Sequence, residues 1–190
     1  MSARPLGLPE KMLAVHASLQ AAGIVHAFGG ALALAWCTQQ ARGTIDLDVN
    51  VFLTPDEADR AIAALPPEVA VTDEDRALLH RDGQARLWWD RTPVDLFLST
   101  TDFHDAVAAR IRWEPFAGQE LPFLGCTDLA VFKAFFNRTK DWADLEAMQE
   151  AGSLDVIGVV GVLATLLGGA DERVERLRAL AGYGAADGRG

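Results

Sequence analysis

From Ile45 onward the chain alternates strictly: Ile45, Leu47, Val49 and Val51 are apolar, and Asp46, Asp48 and Asn50 lie between them. Period two is the signature of a β-strand with one face in a core, so Asp46 and Asp48 should project from the same face, roughly 6.5 to 7 Å apart. Carboxylates that close repel each other, and a solvated strand gains nothing from placing them together. A divalent cation between them removes the repulsion, and hard oxygen donors of this kind suit magnesium. Upstream, Ile24 to Phe28 reads as a short strand that runs into Gly29 and Gly30. Residues without a Cβ permit a tight turn and let a phosphate approach the backbone where a helix begins. Strand, Gly-Gly, helix and a strand bearing Asp-x-Asp therefore form a plan for holding a nucleoside triphosphate beside its metal.

A calcium loop of the EF-hand type imitates part of this pattern, with Asp46, Asp48 and Asn50 followed by Glu57 at the twelfth position. Its sixth position should be Gly for the sharp turn but is Val51, and Pro55 falls inside the loop. A solvated strand face explains any Asp-x-Asp taken alone. Other residues have to decide, and two stand out. Asp95 interrupts the apolar run Pro93-Val94-Asp95-Leu96-Phe97-Leu98. Burying a lone carboxylate is costly unless it is paired or binds a metal, so Asp95 is the candidate third carboxylate, with an ion pair to an Arg as the alternative. Lys133 sits within Leu129-Ala130-Val131-Phe132-Lys133-Ala134-Phe135-Phe136. A buried stem with its ammonium on a phosphate is one reading; snorkelling to solvent is the other.

The formal charge of −10 and pI near 4.7 give no global pull towards nucleic acid or anionic membranes. Cys37 and Cys126 show no metal or redox spacing, which predicts buried thiols in a reducing cytosol. The start, Met1 to Pro9, lacks an apolar signal core, and the longest apolar run, Val156 to Leu167, is too short to span a bilayer. A soluble, cytoplasmic protein with no membrane partner is expected.

The remaining pattern predicts helices over Pro9–Ala22, Thr54–Leu65, Asp73–His80 and Asp102–Ile111. Strands are expected over Gln84–Asp90 and Pro93–Leu98, joined by a turn at Arg91-Thr92, and two more around Ala117-Gly118. Thr127 is placed as the cap of a helix with Leu129, Phe132, Phe135 and Phe136 inward. A buried helix is expected over Val156–Leu167, and a charged amphipathic one over Asp171–Leu180.

Gly29-Gly30 followed by Asp46-Leu47-Asp48-Val49 resembles the signature of the nucleotidyltransferases of the DNA polymerase β superfamily. More narrowly, Gly29-Gly30-Ala31-Leu32, Arg42 to Asp48, and Asp128-Leu129 to Lys133 with Arg138-Thr139-Lys140-Asp141 to Asp144 are similar to the AbiEii-type, MenT-like nucleotidyltransferases, toxins of toxin–antitoxin systems. The resemblance implies an α+β fold, an α/β sandwich with a small mixed sheet flanked by helices. The order of the expected elements itself divides the chain into a catalytic domain over residues 1–125, a helical part over 126–182 and a small, polar, flexible tail over 183–190. Asp46, Asp48 and Asp95 would bind Mg²⁺ or Mn²⁺, and these three with Lys133 would be catalytic. Gly29, Gly30, Arg42, Thr44, Lys133 and Asp144 would bind the NTP. The implied acceptor is RNA, a tRNA 3′ end, and the implied protein partner an antitoxin. A small-molecule enzyme modifying aminoglycoside-type antibiotics resembles the same core and is the rival reading.

Overall fold

The computed structural model describes residues 5–41, 43–180 and 182. Among these, the apolar alternation is realised in seven strands: β1 (His26–Phe28), β2 (Leu47–Val51), β3 (Val69–Ala70), β4 (Gln84–Trp89), β5 (Thr92–Leu98), β6 (Arg112–Phe116) and β7 (Gln119–Phe123). They form one mixed sheet in the order β3-β4-β5-β2-β1-β7-β6. β2 runs parallel to β5 and β1 parallel to β7, while the other neighbours are antiparallel. The α+β class with a mixed sheet and helices, expected from the sequence, is the one observed. The described chain divides into two compact units, Met1–Gly30 with Gly43–Leu124, and Ala31–Arg42 with Gly125–Gly190.

The first unit holds the whole sheet. His26, Phe28, Val49, Val51, Leu87, Trp89, Leu96 and Leu98 share one face by register, and all are buried. Helix α1 (Leu8–Ala21) buries Met12, Val15 and Leu19, and two polar anchors tie it to this face. Lys11 uses its three ammonium protons on the β4–β5 turn, donating to the Trp89 carbonyl (2.9 Å), Thr92 Oγ1 (3.0 Å) and Asp90 Oδ2 (3.2 Å). That turn is centred on Asp90-Arg91, one residue earlier than the sequence suggested, with Asp90 at a left-handed φ of 52°. His16 on α1 meets His26 on β1, Nδ1 to Nε2, at 3.0 Å. Because His26 Nδ1 faces the Ile24 carbonyl at 2.9 Å, it must carry the proton, and Nε2 then accepts from His16 Nδ1.

Shorter helices complete the unit. A 3₁₀ turn (Pro55–Glu57) and α3 (Ala58–Ala63) stand where one longer helix was expected. Helix α4 (Asp73–Asp82) is capped by Thr72, whose Oγ1 accepts from Asp75 N–H at 3.1 Å, and is closed by Gly83. Helix α5 covers Asp102–Ala108.

Helix α2 (Gly30–Thr38) starts at the end of the first unit and runs into the second, which also contains α6 (Cys126–Phe136), α7 (Thr139–Glu150), α8 (Val156–Leu167) and α9 (Glu172–Leu180). Gly125, not Thr127, occupies the cap position of α6, so Thr127 lies inside its first turn. Helix α8 buries only a stripe, Val156, Val159 and Leu163, and leaves Ile157 73% exposed, although its sequence is nearly all apolar. The cysteines are not free thiols. Cys37 and Cys126 form a disulfide across 89 residues, which joins the two segments of this unit. Arg42 and the expected tail, 183–190, lie outside the described residues. No helix among the described residues is long and apolar enough to cross a membrane.

Two outcomes follow. Closing an 89-residue loop removes up to about 4 to 5 kcal/mol of unfolded-chain entropy, so reduction should lower the urea-melt stability by a comparable amount. Coincident melts with and without reductant would show that the bridge does not form. The second concerns acid. Burial holds the pKa of His26 down to about 4, with the Ile24 hydrogen bond opposing and the charge of His16 assisting. The unfolded His takes up its proton near pH 6.5 while the folded one does not, so stability is full above that pH. It should fall by about 3 kcal/mol as pH drops from 6.5 to 4. His26→Phe should flatten that limb of the stability–pH curve, and an unchanged slope would refute the assignment.

Candidate active site

Register brings the carboxylates together. In the parallel β2–β5 pair Asp48 lies beside Asp95, and in the antiparallel β4–β5 pair Arg86 lies beside Asp95. One rung of the sheet therefore reads Arg86, Asp95, Asp48 across three strands, all on the face opposite the α1 core. Neighbouring strands are about 4.8 Å apart, so Asp48 and Asp95 repel unless a cation joins them. Arg86 supplies a cation on the Asp95 side of the rung: Nε and Nη2 each donate to an Asp95 carboxylate oxygen at 2.7 Å, and Nη2 lies 3.6 Å from Asp46 Oδ2. The guanidinium pKa is raised, chiefly by the Asp95 hydrogen bonds against partial desolvation, with the charges of Asp95, Asp46 and Asp48 adding to the effect. Three carboxylates thus act on one half-exposed guanidinium. The sequence pointed to Asp46, Asp48 and Asp95; the ion pair to an Arg that it offered as the alternative for Asp95 is the one observed, with Arg86 the partner it did not name.

Asp46 is held differently from Asp48. The strand begins only at Leu47, and Ile45, expected on the core face, is 71% exposed. Thr44 causes the early departure from the pleat. Its hydroxyl accepts from Asp46 N–H at 3.1 Å and stands 3.4 Å from the Asp46 carbonyl, a local turn that competes with the ladder. Gly43, Thr44, Ile45 and Asp46 line an open cavity of about 460 Å³. Thr44 shapes the backbone that aims Asp46.

The two glycines do separate jobs. Gly29 donates its N–H to the Asp48 carbonyl at 2.9 Å, extending the β1–β2 ladder, and a Cβ there would stand 2.9 Å from Asn50 Nδ2. Gly30 adopts φ +57°, and a Cβ on it would run into the Asp48 carboxylate. Gly30 is therefore the floor on which Asp48 rests.

In the second unit Lys133 donates to Asp144 Oδ2 at 2.6 Å, and both residues are buried. Arg138 forks onto Asp141 (2.6 and 3.1 Å), while Asp141 also accepts the Arg138 N–H at 3.2 Å and caps α7. The Lys133 to Asp144 motif thus forms one ion pair between α6 and α7 and a second within the first turn of α7. Losing one partner of a buried pair costs about 3 to 5 kcal/mol, so Lys133→Ala would report on folding before it reported on any ligand.

Among the described residues no group of three or more His, Cys, Asp or Glu is arranged to hold a metal ion. The donor chemistry nevertheless fits a hard divalent cation, since Asp46, Asp48 and Asp95 offer only carboxylate oxygen and already gather around a positive charge.

No family model and no curated protein matches this chain. Solved structures do. The solution structure of the antibiotic-resistance factor ANT(2'')-Ia superposes with a TM-score of 0.53 at 14% identity, over 92% of this chain and 91% of that one. An antigenic nucleotidyltransferase-like protein from Paracoccidioides brasiliensis follows at TM-score 0.51 and 13% identity, over 93% and 88%. At such identities the shared property is the fold, and it is a nucleotidyltransferase-like fold.

The floor under Asp48 can be tested with two glycines of the same backbone class. Gly23 also has a left-handed φ (+66°) but nothing within 4 Å of its would-be Cβ. Gly23→Ala should cost about 1 kcal/mol from backbone strain alone, and Gly30→Ala roughly 2 to 3, because Asp48 must also move. Equal losses in thermal melts would show that Asp48 yields freely.

Proposed function

We propose that this chain is a metal-dependent nucleotidyltransferase that moves a nucleotide from an NTP to an acceptor hydroxyl. The observation that carries this reading is the Asp95–Asp48 rung with Asp46 beside it, next to the Gly30 turn. Asp46, Asp48 and Asp95 would hold Mg²⁺ or Mn²⁺. Bound divalent ions would supply the charge that stabilises attacking and leaving oxygens in an in-line displacement at the α-phosphate. Asp95, at the edge of the cluster nearest β4, is suited to orient the acceptor hydroxyl and take its proton. Gly29 and Gly30 are assigned to the triphosphate by the motif, in which a glycine pair lets phosphate approach the backbone. Arg42, Thr44, Lys133 and Asp144 are assigned to the nucleotide by the motif alone.

The AbiEii-type resemblance favours an RNA acceptor, a tRNA 3′ end, and with it a toxin that stops translation and is restrained by an antitoxin. A second reading has its own support in the charge of −10 and in the structural likeness to an antibiotic-resistance factor. An acidic surface suits a cationic amino sugar better than a polyanion.

One assay separates them. Purified protein, Mg²⁺ and each labelled NTP are offered total cellular RNA and an aminoglycoside panel in parallel, with and without reductant. Label is expected in the tRNA band, falling about a hundredfold or more in Asp46→Asn and Asp48→Asn, whose melting temperatures should hold or rise. Label on the antibiotics alone would establish the second reading, and no label on either acceptor would sink both.

A further inference from the structure

Arg86 belongs to no part of the motif, yet it is paired into the carboxylate cluster. Its guanidinium uses both oxygens of Asp95 and reaches towards Asp46, while Asp48 lies on the far side of Asp95 in the same rung. A pair made only to stabilise a strand would not be set among two further acids. Nor would it gain much at this position, because the Arg86 side chain is half exposed and such pairs contribute little. Asp95 itself is only 18% exposed. The carboxylate is therefore held by the sheet, and the guanidinium is the partner free to swing.

We propose that Arg86 is a displaceable counter-ion that withholds Asp95 from a divalent cation until a triphosphate draws the guanidinium away. This rests on the nucleotidyl-transfer reading and adds the order in which its ligands assemble. Three carboxylates and one guanidinium sum to −2, which one divalent ion balances. A second ion would leave the cluster positive unless a polyanion arrived with it. The triphosphate is that polyanion, and it offers the forked, doubly hydrogen-bonded contact that guanidinium prefers and now makes with Asp95. Once Arg86 moves to phosphate, both Asp95 oxygens become available as ligands. Metal and nucleotide then bind cooperatively, each raising the affinity of the other by the same factor. Arg86 is a positioning residue in this scheme, acting on the metal through Asp95.

The test reads metal binding, not turnover. Mn²⁺ is titrated into wild type, Arg86→Gln, Arg86→Lys and Asp48→Asn, with free Mn²⁺ followed by electron paramagnetic resonance, alone and with α,β-methylene NTP analogues. Arg86→Gln should bind Mn²⁺ on the order of threefold to tenfold more tightly than wild type when no nucleotide is present. It should also lose most of the further tightening that the analogue produces in wild type. Arg86→Lys, which keeps the charge but not the fork, should fall between them and serves as the folded variant should Arg86→Gln melt early. Unchanged or weaker Mn²⁺ binding on removal of Arg86, with Asp48-dependent binding intact in wild type, overturns this inference alone. Absence of any Asp48-dependent Mn²⁺ binding in both proteins overturns it together with the nucleotidyl-transfer reading.

Discussion

Two carboxylates side by side in neighbouring strands are an electrostatic liability, and the sheet unit is arranged around that liability. The parallel pairing of β2 with β5 sets Asp48 beside Asp95, so register places two like charges on neighbouring strands. Every adjacent feature accommodates it. Arg86 arrives on the antiparallel partner to neutralise Asp95, Gly30 leaves room for the Asp48 carboxylate, and the Thr44 turn keeps Asp46 off the pleat. Like charges kept close at such a cost are ordinarily kept for a ligand, which is why the rung bears more functional weight than any single motif residue.

The helical unit uses the opposite device, closing its charges against one another. Lys133 with Asp144 and Arg138 with Asp141 are complete pairs, and the Cys37–Cys126 bridge ties the segment after the glycine turn to the start of α6. The same residues that resemble a family motif therefore have a sufficient structural reason to be there. Lys11 makes the point independently. It is as buried as Lys133, belongs to no motif, and is fully occupied by the Trp89–Thr92 turn. A buried lysine in this chain is first a tether between elements.

What the sequence revealed, and what it hid, follows from how local each determinant is. Alternation marked β2 and with it Asp46 and Asp48, because a strand with one buried face writes its period directly into the chain, while Asp95 stood out as the one carboxylate in an apolar run. Arg86 was hidden by a single residue. With the turn read at Arg91-Thr92, hairpin pairing sets Trp88 opposite Asp95; with the turn at Asp90-Arg91, where Asp90 takes the left-handed conformation, it sets Arg86 there. β3, two residues long, has no period to read, and the exposure of Ile157 depends on neighbours that α8 meets only in the fold. The disulfide was illegible for the same reason, since 89 residues of chain say nothing about whether two sulfurs meet. Thr127 lost the cap of α6 to Gly125 because the helix starts two residues earlier than a Thr-based reading allows.

Net charge constrains the acceptor more than the nucleotide. At physiological ionic strength charges separated by more than about 8 Å are largely screened, so a total of −10 is felt weakly inside a cluster that contains its own guanidinium. A metal-bound triphosphate is compact, and its charge is met by groups within a few ångströms. A long RNA is not compact; it must be held by many phosphate contacts spread over the surface, and fourteen arginines and three lysines set against twenty-seven acids leave few to spare. The acidic surface therefore leaves nucleotide binding to local geometry, and it makes the acceptor the quantity on which the two functional readings physically diverge.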